Sequence, residues 1–374
     1  MQIVVNTRLL LKNKLDGIGW FTFQTLKRIT INHPEVHFVF LFDREFDPEF
    51  IFADNITPLV IGPQARHPIL YHIWFQQSVK TLLNRMKPDL FLSTDGFLVL
   101  NTKCKQLNVI HDINFYHHRK DLKWLTGKYY NNYFPKFATK ANRIATVSEY
   151  SKNDISKNYH IDKNKIDVVY NGINSFFKPL TDDEKLNARK KFAQGKEYFI
   201  YVGSLLPRKN IPNLVLAFSL FKKEIKSDLK LLLAGRNYWG MDELYKTIKE
   251  NGLENEVIFT NRLSDEDLAQ VFGAAMALTF VPYYEGFGIP LIEAMEIHVP
   301  IISSNTTSLP EVAGEAALLV NPLKPEEIKN AMVKLYQDEN LRKNLIEKGI
   351  KQKENFSWDK SADLLWKSIL KTIG

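Results

Sequence analysis

The stretch 280–299 reads FVPYYEGFGIPLIEAMEIHV, and it decides how we interpret the rest of the chain. Two carboxylates, Glu285 and Glu293, bracket a loop that contains two glycines, and Pro290 begins a run with helical character. Proline is tolerated at the first position of a helix, and glycines let the backbone approach a ligand. A helix that starts after such a loop offers N–H groups to an anion. We therefore predict a phosphate-binding turn with Glu293 in the first helical turn. The alternative is a strand, a turn and a helix with two surface glutamates.

A second segment of the phosphate-binding type lies upstream. Residues 203–210, GSLLPRKN, follow the strand-like run YFIYV and precede an amphipathic helical run. Arg208 and Lys209 at this junction suit a diphosphate, because lysine supplies a point charge and arginine a fork of donors. An Arg–Lys pair is common on protein surfaces, so the prediction depends on its occurrence together with the 280–299 stretch.

With seven residues between them, Glu285 and Glu293 resemble the E-x7-E signature of glycosyltransferase family 4, a family of retaining glycosyltransferases. The resemblance is strongest at 201–322 and weaker in the N-terminal half. It is greatest to bacterial mannosyltransferase-type members that build cell-surface polysaccharides. It implies the GT-B fold, which is α/β with two Rossmann-like, doubly wound parallel-sheet domains that face each other across a cleft.

The resemblance also assigns roles on the donor side. Arg208 and Lys209 would hold the leaving nucleoside diphosphate. Glu285 would hold hydroxyls of the transferred sugar, and Glu293 those of the ribose. Some relatives carry a basic residue where this chain has Ser204, so the chain departs from the family there. Further donor-binding positions implied by the family are Gly19, Gly203, Arg262, Leu263, Gly286, Phe287, Gly288, Ile289 and Leu291.

His111 and Asp112, in the string VIHDINF, end a predicted strand of the first domain. Open α/β sheets bind ligands at the carboxyl ends of their strands. The resemblance implies that this histidine lies beside the reacting sugar and that the aspartate supports it. A structural or solvated histidine is the alternative. The expected catalytic residues are His111, Asp112 and Glu285.

Four further residues are candidates for the acceptor side. In doubly wound sheets, a glycine-containing loop between a strand and a helix approaches phosphates or sugars, and residues 16–19 are predicted to be such a loop. Glu149 closes a predicted strand, and its structural and functional interpretations are equally supported. A pair of histidines near Arg119 is either acceptor-side or simply on the surface. The acceptor-side candidates are Gly17, Glu149, His117 and His118.

Strand-like and helical runs alternate along the chain, which argues for parallel sheets. A chain of 374 residues suggests two domains. Asn171-Gly172 is a turn signal, and the surrounding string DVVYNGINS resembles the hinge of the family. We predict an N-terminal acceptor-side domain at 1–172 and a C-terminal nucleotide-sugar-binding domain at 173–356. A last helix near 357–374 is expected to pack back onto the first domain.

The net charge of +8 lies entirely in the first half. Residues 1–172 contain 23 Lys and Arg against 15 Asp and Glu, and the remainder contains 27 of each. Such an excess attracts anionic partners. The run 69–86, with Trp74 and Phe75, and the aromatic and basic stretch 123–143 suit an anionic membrane or a polyprenyl-diphosphate-linked acceptor. Core packing and a solvated basic face are the alternatives. Nucleic-acid binding is the next alternative for the stretch 123–143, but no recognised motif supports it, so that partner is not expected.

The cysteine content and the N-terminus indicate the compartment. The single cysteine, Cys104, excludes an internal disulfide framework and fits a reducing environment. The start MQIVVNTRLLL lacks the pattern of a signal peptide, and no apolar run approaches the ~20 residues of a membrane span. We expect a cytoplasmic protein, with the inner face of the cytoplasmic membrane as a second option.

The function expected from these residues is hexosyl transfer. The donor would be GDP-mannose or a UDP-hexose, and the acceptor a glycan or a lipid-linked sugar in surface polysaccharide synthesis. No D-x-D motif with strand–turn placement is present, so we expect no metal and no cofactor, the nucleotide sugar being a co-substrate. One alternative is a non-catalytic GT-B scaffold or partner subunit. A GT-B phosphorylase is another, but the chain lacks the size and the cofactor-lysine context for it.

Overall fold

The computed structural model describes residues 1–236 and 242–374. The chain divides into two compact units. The first, here called the N-unit, comprises Met1–Gly172 and Ser357–Gly374. The second, the C-unit, comprises Ile173–Phe356.

The described residues of the N-unit contain a sheet of seven strands: β1 Gln2–Asn6, β2 His37–Phe42, β3 Ile56–Val60, β4 Leu90–Ser93, β5 Gln106–Val109, β6 Arg143–Thr146 and β7 Ile166–Val168. All neighbours are parallel, in the order β3-β2-β1-β4-β5-β6-β7. The central strands are short apolar runs that the fold buries, as parallel sheets require; Ile3, Val4 and Val5 are wholly buried. The sequence did not predict β7, because Asp167 interrupts its apolar pattern.

The helices of the N-unit that precede the hinge are α1 Gly17–Asn32, α2 Pro68–Ile73, α3 Lys80–Met86, α4 Asn114–His117, α5 Trp124–Lys140 and α6 Glu149–Tyr159. A π-helical segment, Trp74–Val79, joins α2 to α3. Trp74 and Phe75 are fully buried, the Trp74 indole N–H donates to the Ile61 carbonyl at 2.8 Å, and Phe75 stacks on Phe97. For these two aromatic residues the core-packing alternative therefore holds, and neither ring can contact a membrane.

The C-unit repeats this design. Its described strands are β8 Tyr198–Val202, β9 Lys230–Ala234, β10 Val257–Asn261, β11 Ala277–Phe280, β12 Ile301–Ser304 and β13 Ala317–Val320. They form a parallel sheet in the order β10-β9-β8-β11-β12-β13. The predicted α/β class with two Rossmann-like parallel sheets is confirmed. The partly exposed edge strand β13 was not predicted.

The described helices of the C-unit are α7 Asp182–Ala193, α8 Ile211–Ile225, α9 Asp242–Glu250, α10 Asp265–Gly273, α11 Ile289–Glu296, α12 Leu309–Ala313, α13 Pro325–Gln337 and α14 Glu339–Gln352. Short 3-10 turns of the two units lie at Pro48–Phe50, Arg119–Asp121, Lys163–Lys165, Pro207–Lys209 and Lys353–Asn355.

The last helix, α15 Trp358–Ile373, belongs to the N-unit. It packs against α1, where Trp366 stacks on His33 with ring centroids 3.8 Å apart. Asp167 on β7 accepts a hydrogen bond from the Ser368 hydroxyl at 2.7 Å and pairs with Lys371 at 3.0 Å. Side chains of the sheet therefore hold the helix in place.

Each sheet reverses its winding at one pair of neighbouring strands, β1 and β4 in the N-unit and β8 and β11 in the C-unit. We call this pair the switch point. Loops that leave the two strands there diverge to opposite faces of the sheet and open a crevice that ligands use. None of the described helices is long and apolar enough to cross a membrane.

Candidate active site

The basic pair and the first glutamate meet at the switch point of the C-unit. Arg208 and Lys209 lie in the 3-10 turn after β8, and Glu285 lies in the loop after β11. Arg208 Nη1 lies 3.2 Å from Glu285 Oε2 and donates to the Tyr284 carbonyl at 3.2 Å. Lys209 Nζ forms an ion pair with the same carboxylate oxygen and lies 5.1 Å from the centroid of the Phe280 ring. Residues that the sequence separates widely are thus in direct contact.

The Glu285 carboxylate is held in its charged form. Burial alone would raise its pKa, but the charges of Lys209 and Arg208 outweigh burial, so the pKa of Glu285 is lowered. An anion that approaches this pair of cations must compete with Glu285 for them. The arrangement is suited to binding a group that carries negative charge.

The glycine-containing loop after Glu285 is held in place by contacts with neighbouring residues. Gly288 has φ +102° and precedes α11, and a Cβ there would lie 2.6 Å from a methyl carbon of Leu309. The Ser308 hydroxyl, wholly buried, lies 2.9 Å from the Glu285 carbonyl and 3.0 Å from the Phe287 carbonyl. Ser308 was not identified from the sequence; its only signal is a Ser/Thr-rich turn that follows β12.

The remaining loop and helix positions of the donor set lie around this turn. The ring of Phe287 meets that of Phe356 edge-on at 5.6 Å. Ile289 is the first residue of α11, and the Leu291 N–H bonds the Gly288 carbonyl at 2.9 Å. Leu291 is wholly buried. Gly286 is buried in the same loop.

Glu293 is 9% exposed, and its side-chain carboxyl makes no hydrogen bond among the described residues. Because α11 begins at Ile289, Glu293 lies in the second turn rather than the first. Burial, with a smaller contribution from the nearby Asp265, raises the pKa of Glu293 to about 8. A hydroxyl-bearing ligand would give this buried carboxyl the partner that the described residues do not supply.

The loops after β8, β9 and β10 are closely packed on one another. Gly203 has φ +141°, and a Cβ on Gly235 would lie 1.8 Å from the Gly203 carbonyl oxygen. The Gly235 N–H donates to the Asn261 carbonyl at 3.1 Å. Arg262 is exposed and Leu263 partly buried just after β10. These residues lie at the carboxyl ends of the strands, at the same edge of the sheet as Arg208 and Lys209.

In the N-unit, His111 lies after β5. Its Nε2 is 3.0 Å from the Thr94 carbonyl oxygen, and its ring meets Phe21 edge-on at 5.0 Å. Burial lowers the pKa of His111, so the ring is neutral at pH 7. Asp112 Oδ1 accepts the backbone N–H of Asn114 at 2.8 Å and its side-chain amide at 2.6 Å. Asp112 therefore orients the turn after His111 rather than bonding its ring.

Residues 16–19 were expected to form a loop, and the structure corrects this. The helix α1 begins at Gly17, with Asp16 as its N-cap. The Asp16 carboxylate accepts the Gly19 N–H at 3.0 Å. A good capping residue therefore extends the helix through both glycines.

The other acceptor-side candidates lie around α6. Glu149 is its first residue. His117 Nε2 lies 2.9 Å from both carboxylate oxygens of Asp154, which also lies on α6. The His118 N–H bonds the Asn114 carbonyl at 2.7 Å. His117 and α6 are thus in contact.

Sequence reasoning also missed an acid–base pair at the switch point of the N-unit. Arg8, after β1, lies with its Nε 2.6 Å from Oδ2 of Asp95, after β4. Both side chains are buried. The available signal was a charged residue two positions after each of two apolar strands. Among the described residues, no three His, Cys, Asp or Glu side chains are grouped so as to hold a metal ion.

Known proteins resemble this chain over most of its length. The sequence model of "Glycosyltransferase Family 4" matches residues 15–175, and that of "Glycosyl transferases group 1" matches residues 182–352. O-antigen chain mannosyltransferase B of Escherichia coli is 26% identical over 364 residues, 93% of this chain and 94% of the relative. O-antigen chain mannosyltransferase RfbU of Salmonella typhimurium is 30% identical over 280 residues, 73% of this chain and 72% of the relative.

A solved structure gives the same result for the fold. Anabaena HepE, in complex with UDP and glucose, matches with a TM-score of 0.74 at 15% identity and covers 98% of both chains. The sequence matches in both halves of the chain and the match in fold thus lead to one conclusion. The chain belongs to glycosyltransferase family 4, as a glycosyltransferase with the GT-B fold.

Proposed function

We propose that the protein is a retaining, metal-independent hexosyltransferase. It moves a hexose, with mannose favoured, from GDP-mannose or a UDP-hexose to a glycan or a polyprenyl-diphosphate-linked acceptor. The observation that carries the proposal is the contact of Arg208 and Lys209 with Glu285 at the switch point of the C-unit. The names of two relatives, both O-antigen chain mannosyltransferases, support mannose and a glycan acceptor.

The basic pair has a defined task in this reaction. The bond between the anomeric carbon and the β-phosphate oxygen breaks, and negative charge develops on the nucleoside diphosphate. Arg208 and Lys209, together with the N–H groups at the start of α11, stabilise that charge, and this needs no metal ion. The acceptor oxygen bonds the anomeric carbon on the face that the diphosphate leaves, and the acceptor proton passes to the departing phosphate oxygen.

The acidic residues and the histidine hold the sugar and the ribose. Glu285, already charged, accepts hydrogen bonds from hydroxyls of the transferred hexose. Glu293 accepts the ribose hydroxyls, which gives its buried carboxyl partners. His111 bonds a hydroxyl of the reacting sugar, and Asp112 keeps the turn after His111 in place.

The test is a transferase assay of the full chain. GDP-mannose, UDP-glucose and UDP-galactose are each offered with a lipid-linked glycan acceptor, with and without EDTA. We expect acceptor-dependent release of nucleoside diphosphate from one donor, unchanged by EDTA, and an α-linked product from the α-configured donor by NMR. Lys209→Ala should lower kcat/KM about a hundredfold. Lys223→Ala removes an exposed lysine of the same unit and should change nothing.

Two results would contradict this assignment. Full activity of Lys209→Ala would remove the basic pair from the site. Inactivity of the wild-type protein with every donor, combined with undiminished nucleotide binding, would favour a binding role for this GT-B chain.

We also propose that the N-unit contacts an anionic membrane where α2 packs on α5. Trp124 is 75% exposed and Leu125 47%, and Ile69 on α2 is 60% exposed. The two helices are joined by Tyr71 and Tyr129, with ring centroids 6.2 Å apart. Lys128 Nζ lies 5.1 Å from the Trp124 ring centroid. Exposed aromatic and aliphatic residues beside lysines suit an anionic lipid surface.

A vesicle experiment tests this surface. Co-sedimentation with phosphatidylglycerol vesicles should exceed that with phosphatidylcholine vesicles, and Trp124→Ser should abolish the difference. Leu186→Ser, which changes an exposed leucine of the C-unit, is the control. Equal sedimentation with both vesicles would contradict the proposal.

A further inference from the structure

The switch point of the N-unit holds a buried ion pair for which no function has yet been given. Arg8 Nε and Asp95 Oδ2 are 2.6 Å apart, with 7% and 2% of the side chains exposed. Rings of Tyr71 and Phe97 lie 5.2 Å and 4.8 Å from the Arg8 guanidinium carbon. The position is where a doubly wound sheet ordinarily receives a ligand, but here protein side chains fill it.

Asp95 is bonded to the ends of both strands of the switch point. Its Oδ1 accepts the side-chain amide of Asn6, on β1, at 2.8 Å and the hydroxyl of Ser93, on β4, at 3.1 Å. Its Oδ2 faces Arg8 in a contact that is ionic and lacks the angle of a hydrogen bond. Asp95 therefore fixes the turn that follows β4.

The turn after β4 is held from its other side as well. Gly96 has φ +89°, and a Cβ there would lie 2.5 Å from the ring of Phe134. The Asn108 side-chain amide donates to the Gly96 carbonyl at 3.0 Å. A turn with this many contacts has little freedom to move.

Thr94 lies inside this turn, and its carbonyl oxygen accepts from His111. The Thr94 hydroxyl in turn donates to the Asn6 carbonyl at 3.2 Å. A carbonyl oxygen has no hydrogen to give, so the 3.0 Å contact requires the hydrogen to be on Nε2 of His111. The neutral ring then presents a lone pair on Nδ1, and no described residue donates to that nitrogen.

We propose that Asp95, held by Arg8, is a positioning residue that fixes His111 as its Nε2–H tautomer, so that Nδ1 accepts a hydrogen bond from a sugar hydroxyl. The hydroxyl contact rests on the transferase function proposed above. The tautomer of His111 does not depend on that function, and it can be measured without any substrate.

The first experiment is NMR of the full chain labelled with 15N-histidine, with the His111 signals assigned from their loss in His111→Gln. The wild-type protein should show His111 as a neutral Nε2–H ring at about pH 7.5. Asp95→Asn should give a mixture of tautomers. Asp167→Asn, which alters another Arg-paired aspartate of the N-unit, should leave the signals unchanged. An Nδ1–H or charged ring in the wild-type protein overturns the proposal, even if Asp95→Asn fails to fold.

The second experiment is a double-mutant cycle on transfer. Asp95→Asn should lower kcat about tenfold or more and leave the KM for the donor within about twofold. Combined with His111→Gln it should be no worse than His111→Gln alone, because Asp95 acts through His111. Additive losses overturn the positioning role. An inactive wild-type protein would instead count against the proposed transferase, and the NMR result would still decide the tautomer.

Discussion

The switch points of the two units place charged residues at equivalent positions and use them differently. In the N-unit one arginine meets one aspartate, 7% and 2% of the side chains are exposed, and aromatic rings surround the guanidinium. In the C-unit two cations meet one carboxylate, and Arg208 and Glu285 are 14% and 17% exposed.

The difference between the pairs indicates their use. A balanced, closed pair cannot exchange its partner for a ligand, so it is suited to holding backbone in place. Two cations that share one partly exposed carboxylate can transfer part of that contact to an anion. The topology supplies the crevice in both units, and within that crevice the ratio and exposure of the charges distinguish a structural pair from a ligand-binding one.

The largest effect should come from breaking the closed pair. Arg8→Met leaves Asp95 buried and charged, which should destabilise the N-unit by about 3–5 kcal/mol. Arg8→Met with Asp95→Leu removes both charges and should recover most of that loss, while transfer stays low because the turn loses the Asp95 contacts. Urea unfolding followed in the N-unit measures both. If Arg8→Met is as stable as the wild type, the buried Asp95 does not depend on Arg8 for its stability.

Parts of this comparison were accessible from the sequence. Arg208, Lys209 and Glu285 could be identified as candidate site residues from the sequence, because each lies in a local strand–loop–helix pattern that resembles the family. The pair of Arg8 and Asp95 could not, because it exists only if β1 lies beside β4. That neighbour relation depends on strand order, which no local pattern encodes.

Burial and helix capping explain why two interpretations of the sequence failed: a membrane-facing helix and a glycine loop. Trp74 and Phe75 form an amphipathic pattern with nearby basic residues, but a π-helical segment turns both rings into the core. Gly17 and Gly19 suggested a loop, but the Asp16 cap starts the helix earlier. In both regions a tertiary or capping contact prevailed over composition.

The cluster of Arg208, Lys209 and Glu285 predicts that nucleotide binding and sugar transfer respond in opposite directions when Glu285 loses its charge. Glu285→Gln removes the charge that competes with a diphosphate, so UDP or GDP should bind about tenfold more tightly by calorimetry. Transfer should fall about a hundredfold, because the amide holds the sugar hydroxyls less well. Glu224→Gln, which alters an exposed glutamate paired with Lys329, is the matched control. Unchanged nucleotide affinity would mean that Glu285 does not compete for the cations.

Glu293 shows how burial acts on a carboxyl that no cation among the described residues offsets. Its folded-state pKa is raised to about 8 from 4.5, by burial first and by Asp265 second. The folded state holds a proton that the unfolded state has released, so this group lowers stability as pH rises from 4.5 towards 8. Glu293→Gln should therefore stabilise the C-unit by about 2–4 kcal/mol at high pH and by little at about pH 5. Parallel wild-type and variant urea curves across pH would contradict this.

A third pair, away from either switch point, provides the reference for purely structural use. Asp167 accepts two hydrogen bonds at 2.8 Å from Arg143 and is bonded by Ser368 and Lys371 of α15. Although burial opposes it, these contacts lower the pKa of Asp167 to about 2 from 3.8. Its stabilisation is complete above the unfolded value and is lost as pH falls through that window.

Asp167→Asn should cost about 1–2 kcal/mol at neutral pH, less than the full shift because the carboxylate is partly exposed. The cost should shrink in acid, and transfer per folded molecule should stay at the wild-type value. Urea unfolding at several pH values and a transfer assay measure the two. A large loss of transfer in this variant would mean that an Arg-paired aspartate elsewhere in the N-unit also affects His111. The switch point would then have no special part in positioning it.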